Sequence, residues 1–395
     1  MNKLFYASIF LFILSIGSCK TNRKALFSSG EVNKTEFEST VTTKTKKYLT
    51  IIPVEIHGKT YQFLFDTGAP LSISSDIQKA LQFPTVRKIP MVDSDNVRRE
   101  MQFVKSDSIN IGGISFLNHT AFVADFSLNP LIKCLNIDGI IGSNLMKECN
   151  WTINHSANTI TLSKDKKLMS NYEVPFKSNL QYDMIVDLDF DGLSYSGIKI
   201  DYGSNGELSL PQFALNGLKK EIIDTVIYKK GYKQHGLFGV RSPMVKEIAK
   251  VDSVKLGQFV FPSLIVRSGK SGLLGNKILS NYIVNINWKN KTIGFTNQNS
   301  QKEKDYSDFG FSLTFHNGEA KIQAVTQGSH ADKQGLLADQ VVLSMNGIDF
   351  PTSESFCNYI TMSLEHLDEI TLQLLQKDKS VVKKVIKRSY YFKNN

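Results

Sequence analysis

From Tyr48 onward, apolar and polar residues alternate in short runs rather than at helical spacing. Leu49-Thr50-Ile51-Ile52-Pro53-Val54-Glu55-Ile56 and Tyr61-Gln62-Phe63-Leu64-Phe65 flank the turn His57-Gly58-Lys59. Two period-two runs around a glycine-containing turn predict a β-hairpin, and that hairpin ends at Asp66. Long amphipathic patterns are scarce from there to about Gln298, so the expected class is mainly β. Before Tyr48, the stretch Thr21 to Lys47 is rich in Thr, Lys, Ser and Glu with little apolar content, which predicts a flexible tether over 19–47. At 395 residues with 41% hydrophobic positions, the chain is long enough for two or three domains with real cores.

The strand pattern repeats. Gly139, Gly142, Ile153, Asn154, Thr159 and Ile160 correspond to Gly272, Gly275, Ile286, Asn287, Thr292 and Ile293 at one constant offset. Ile109 to Phe116 resembles Val254 to Phe261. Each copy is preceded by an Asp-x-Gly turn at the end of a strand: Asp66-Thr67-Gly68 in the first and Asp201-Tyr202-Gly203 in the second. Ordered matches in three separate blocks mark an internal duplication. Two carboxylates brought face to face can share one proton and activate a water, which one alone does poorly.

Residues 48 to 298, with these turns and the segments Asp138-Gly139-Ile140-Ile141-Gly142 and Ser271-Gly272-Leu273-Leu274-Gly275, resemble the aspartic peptidase family, both its retroviral and pepsin-like branches. The resemblance implies a bilobal β-barrel fold with a pseudo-two-fold axis, lobes at 48–168 and 169–300, and Asp66 and Asp201 as the catalytic pair. Thr67, Gly68 and Gly203 would support the site, and no cofactor or metal is implied. Tyr202 stands where the family has Thr or Ser. Its hydroxyl cannot take the same position, which breaks the reciprocity of the hydrogen bonds expected under the dyad. A catalytically inactive, peptide-binding relative of the same fold is the rival reading. Hairpins at Pro90–Val104, with a tip near Asp93 to Asn96, and at Tyr228–Val240, where Gly231, Gly236 and Gly239 allow bending, are candidate flaps over a substrate or plain surface hairpins.

After Lys302-Glu303-Lys304-Asp305 the composition shifts. Gly328 to Leu336 and Val341 to Gly347 resemble the turn, short helix and strand of a PDZ domain, and the likeness covers about 308–392. It implies an α+β unit with a helix over Ser353–Leu367 and a closing strand at Ile370–Leu375. Asp308-Phe309-Gly310-Phe311 would be its carboxylate-binding loop, with Phe311 and Leu313 lining a pocket for a peptide's last side chain. The alternative is a degenerate unit that only packs on the rest.

Lys3 and the apolar run Leu4 to Ile16, ending Leu14-Ser15-Ile16-Gly17-Ser18-Cys19, resemble a bacterial lipoprotein signal over 1–18, with Cys19 as the lipidated residue. An ordinary secretory peptide is the other reading, and both imply export and a place in the cell envelope. Of the remaining cysteines, Cys134 and Cys149 bracket the Ile140-Ile141-Gly142 segment, where a disulfide or two buried thiols are both compatible with the spacing. The net charge of +10 lies largely in the termini and carries no zinc-finger or RNA-binding signature, which argues against nucleic acid as a partner. The expected partners are protein or peptide substrates and a membrane surface, for a monomeric unit. Gly269-Lys270-Ser271 lacks the earlier glycine of a phosphate loop, and Gly192 to Gly197 lacks the spacing of a serine nucleophile turn.

Overall fold

A computed structural model describes residues 25–92, 98–164, 172–235, 240–298, 306–316, 318–350, 352 and 354–392. The protein is mainly β. Strands Leu49–Ile56 and Lys59–Asp66 form the expected hairpin, in register Ile51↔Leu64 through Ile56↔Lys59. Strand Gly139–Gly142 then runs parallel to the second of them, Gly142 opposite Asp66. The second copy builds the same unit. Met184–Phe190 and Leu193–Asp201 pair antiparallel, and Leu273–Gly275 runs parallel to the latter with Gly275 opposite Asp201. In each copy the first glycine of the aliphatic segment makes room for a large neighbour. A Cβ on Gly139 would meet the Phe63 ring at 2.3 Å, and one on Gly272 the Ile198 side chain at 2.5 Å.

A six-stranded sheet joins the copies, in the order Tyr172–Pro175, Thr292–Asn297, Tyr282–Asn287, Asn150–Asn154, Thr159–Ser163, Glu38–Thr42. Its central pair brings the two copies together, Trp151 opposite Ile286 and Ile153 opposite Val284. One buried core then runs through both copies, from Ile52, Phe63 and Phe65 to Ile200, Phe261 and Phe295. Burial on this scale, at roughly 25 cal/mol per Å² of apolar surface, is what holds the two carboxylate-bearing turns at fixed separation.

The expected tether is corrected in part. Glu31–Val32 pairs with Ile114–Leu117, Lys44–Lys46 pairs with the first hairpin, and Glu38–Thr42 forms the outer strand of the six-stranded sheet. Val41 is the anchor: its neighbours in the strand point to solvent while it packs into the core opposite Ile160. The pairing Val174↔Ile293 in the second copy mirrors Val41↔Ile160 in the first. A polar strand with one buried residue reads as linker because sequence periodicity needs at least two apolar points. Cys19 lies outside the described residues.

The C-terminal unit has its own core around Ile322, Val342, Met345, Phe350 and Leu372. Its helix is Ser355–Thr361, shorter than expected, and its closing strand is Glu369–Leu375. The unit is not a separate bead. Strand Glu319–Thr326 continues the second copy's sheet, pairing with strand Val226–His235 in register Lys229↔Thr326 and Gly231↔Ala324. On the other side Cys357 of its helix forms a disulfide with Cys134 of the first copy, 223 residues away in sequence. The spacing leaves open a disulfide between Cys134 and Cys149 or two buried thiols. Cys134 is instead bonded to Cys357, and Cys149 is a buried free thiol, packed in the central core.

Candidate active site

Strands Lys59–Asp66 and Leu193–Asp201 deliver the two aspartates to the middle of the molecule, each at a strand end. Each carboxylate is first tied to its own turn. The amide of Gly68 donates to Asp66 Oδ1 at 2.7 Å, and the amide of Gly203 donates to Asp201 Oδ1 at 2.9 Å. Each glycine then faces the opposite carboxylate. A Cβ on Gly68 would lie 2.8 Å from Asp201 Oδ1, and one on Gly203 would lie 2.2 Å from Asp66 Oδ2. No side chain fits at either place, which is why both turns need glycine.

Asp66 and Asp201 are hydrogen-bonded to each other. Burial, followed by the charge of Asp201, pushes Asp66 up to about 7. The residue as a whole keeps some exposure, but the surrounding protein is dense enough for loss of hydration to dominate. Burial also raises Asp201, against the Gly203 amide and the Lys199 ammonium. The bond between the carboxyls raises Asp66 and lowers Asp201. Both carboxyls are raised, as expected of a pair that shares one proton, and the titration belongs to the pair. Lys199, a cation that acts on both aspartates, is anchored by an ion pair with buried Asp183 at 2.8 Å.

Beneath the dyad, the hydroxyl of Thr67 donates to the carbonyl of Ile200 at 2.7 Å and accepts from the amide of Tyr202 at 3.0 Å. One threonine thus makes both bonds across the copies. The tyrosine that breaks the family pattern leaves this half of the grip intact, because only its backbone is needed there. Its side chain is fully buried, edge-on to Phe65 at 5.5 Å and stacked on His155 at 5.9 Å. Tyr202 therefore fills core volume below the site. Asn276 supports the second turn by donating to the carbonyl of Tyr202, and Asn144 accepts from the amide of Leu71 after the first turn. Sequence reasoning missed both asparagines. The signal was available, since Asn276 follows Gly275 directly and Asn144 stands two residues after Gly142, each close behind the second glycine of its aliphatic segment.

Strands Thr85–Val92 and Arg98–Lys105 form the first candidate flap, whose tip lies outside the described residues. The second is the long hairpin Val226–His235 with Val240–Leu256, and Gly236 and Gly239 also lie outside them. Gly231 does not serve bending. It lies within a strand, where a Cβ would come 2.0 Å from the carbonyl oxygen of Gln323. The glycine is what lets the C-terminal unit dock.

The expected carboxylate-binding loop is occupied by its own side chain. Asp308 Oδ1 accepts from the amide of Gly310 at 2.7 Å and the hydroxyl of Tyr391 at 3.0 Å, while Lys229 lies 3.8 Å from its other oxygen. Phe309 is buried with the Arg388 guanidinium 4.6 Å above its ring. Phe311 and Leu313 are half-buried on strand Phe311–His316. A second buried network lies beside this loop. Glu207, six residues after Asp201, takes two bonds from Arg267 and one from Lys277, and Arg267 also donates to Tyr306. Against the cost of burial, these cations hold Glu207 down at about 2. Among the described residues, no group of three or more His, Cys, Asp or Glu is arranged to hold a metal ion.

A half-buried pair of carboxylates sharing a proton, each bound to its own Asp-x-Gly turn and facing the other's glycine, defines a paired-aspartate site. Residues 52–145, which include the first turn and its aliphatic segment, match the family model for aspartyl proteases. No curated protein matches the chain.

Proposed function

We propose that the protein is an aspartic endopeptidase in which Asp66 and Asp201 activate a water against a peptide bond. The observation that carries this reading is the crossed fit of the turns, with each glycine against the opposite carboxylate. Asp66 donates the pair's shared proton to the scissile carbonyl oxygen. Asp201 takes a proton from the water as the water oxygen bonds to the carbonyl carbon. The resulting diol collapses as Asp201 passes its new proton to the amide nitrogen and Asp66 takes a proton from one diol hydroxyl. The C–N bond breaks, acid and amine leave, and the pair again holds one proton. Acid, base and nucleophile are then all accounted for by two side chains and water.

The lipoprotein-like start of the chain supports export and attachment to a membrane through Cys19, and the Cys134–Cys357 disulfide suits an oxidising compartment. The C-terminal unit would act as a recognition element for protein substrates. A free peptide carboxylate could enter its loop only by displacing Asp308.

The test is cleavage of an unfolded protein mixture from pH 3 to 8 by the chain from residue 20, beside Asp66→Asn and Asp201→Asn. Loss of cleavage in both variants supports the paired mechanism. Retained cleavage in Asp201→Asn would point to a single-carboxylate or intermolecular site, and a parent protein that cleaves nothing would leave a binding role.

A further inference from the structure

The sheet face that carries Asp66 is not left to solvent. On strand Lys59–Asp66, Leu64 lies two residues before Asp66 and so on the same face, about 7 Å along the strand. Its cross-strand neighbours are Ile51 on one side and Ile140 on the other. Leu64 and Ile51 belong to a buried apolar cluster with Leu135, Ile137 and Ile360, and Ile360 comes from the helix of the C-terminal unit. The opposite face of the same strand, Phe63 and Phe65, enters the central core. The C-terminal helix therefore shares an apolar cluster with Leu64, which stands two residues before Asp66 on the same strand face.

The cluster is only partly closed from solvent. Ile140, Phe126, Ile132 and Phe356 pack on the cluster yet remain partly exposed. Phe356 is braced from behind by Phe315 at 5.4 Å. The adjacent residue, Cys357, carries the disulfide to Cys134. On the opposite side, the same unit is hydrogen-bonded into the second copy's hairpin through Lys229 to Gly231. The unit is thus fixed to both halves of the site and cannot shift against one without straining the other.

We propose that the C-terminal helix forms part of the substrate-binding wall beside Asp66, with Phe356, Ile140 and Phe126 taking a large apolar side chain of an extended peptide next to the scissile bond. The disulfide keeps Phe356 in place. Specificity then depends on a residue about 290 positions away in sequence from the aspartate it serves. The proposal rests on the endopeptidase reading.

The experiment compares the oxidised full-length mature chain with Phe356→Ala, Phe356→Leu and Cys134→Ser/Cys357→Ser on a peptide series varied at one position from Phe and Leu to Ser and Asp. Phe356→Ala should raise KM for the apolar peptides by about tenfold, leave kcat nearly unchanged and flatten the preference, while Phe356→Leu restores most of it. The double serine variant should flatten the preference in the same way. Unchanged KM and preference in folded Phe356→Ala and in the serine variant would overturn the proposal while leaving the endopeptidase reading standing. If the parent cleaves none of the series, the peptidase reading fails, and binding of the same peptides is read by fluorescence anisotropy. Apolar-selective binding lost in Phe356→Ala still supports the wall, and binding that ignores Phe356 overturns it.

Discussion

Single atoms decide the site. A methyl on Gly203 would lie 2.2 Å from the Asp66 carboxylate, so Gly203→Ala must push the two turns apart. Misplacement of about 1 Å is enough to reduce kcat at least a hundredfold, and a variant with parental kcat would refute the crossed fit. Tyr202 makes the opposite case. Its hydroxyl is buried and has no hydrogen-bond partner among the described residues, so Tyr202→Phe should keep activity and raise stability by about 1 kcal/mol in urea denaturation. Restoring the family-like residue should do worse: Tyr202→Ser leaves a cavity beside Phe65 and His155 and should cost about 3–4 kcal/mol. The two aspartates were legible in the sequence because an Asp-x-Gly turn at a strand end is a local pattern. The role of Tyr202 was not, since the sequence does not say whether a side chain points up into a site or down into a core.

The residue scale also sets a pH dependence whose sign differs between two carboxyls. Asp66 has its folded-state value raised from 3.8 to about 7, so the folded state binds the extra proton between those values. Its contribution to stability is fully present below about pH 4 and is lost as pH rises through about 7. Asp66→Asn should therefore melt above the parent at pH 8, with the gap closing toward pH 4 in a melting series. Glu207 works the other way. Its value is depressed from 4.5 to about 2, so its stabilisation is present above pH 4.5 and is lost as pH falls toward 2. Glu207→Gln should match the parent only in strong acid. A parallel pair of pH curves for the two variants would contradict this assignment.

At the scale of elements, the hairpins around Asp66 and the duplicated aliphatic strands followed from period-two patterning. Strand Glu38–Thr42 did not, because Val41 is its one buried residue and the rest of it is polar. The offset that maps Ile160 onto Ile293 also maps Val41 onto Val174, so the duplication, extended upstream, would have located it. Gly231 was misread as a bending point for a related reason. A glycine in a strand marks either a kink or a close approach, and only the neighbouring strand distinguishes them. Here it admits the backbone of Gln323 and Ala324. Gly231→Ala should loosen the pairing between the hairpin and strand Glu319–Thr326 at a cost of about 2 kcal/mol. Faster hydrogen exchange at residues 229–231 and 324–326, with the central core unchanged, is the expected readout. Uniform protection would mean that this strand pairing is not what fixes the unit.

For the whole molecule, the question is whether the C-terminal unit melts with the rest. The sequence divides the chain at its charged run near 302–305, and nothing local in it shows that the two sides are cross-linked. Cys149 is the nearer partner of Cys134 in sequence, but it sits on the far side of the sheet, in the central core. Cys134 stands on the outer face with Ile360 and Phe356. A bond spanning 223 residues removes much of the unfolded chain's freedom, worth about 5 kcal/mol in the chain-entropy account. The sheet pairing at Lys229 to Gly231 and the hydrogen bond from Lys47 to the Met362 carbonyl at 2.9 Å tie the same unit from two other directions. With three attachments, the oxidised protein should unfold in one calorimetric transition. Reduction, or Cys134→Ser with Cys357→Ser, should lower its midpoint by about 7 °C. It should also split off an earlier transition for the unit's own core around Phe350 and Leu372. An unchanged single transition after reduction would mean that strand pairing alone carries the connection, and that the disulfide holds no more than the local seat of Phe356.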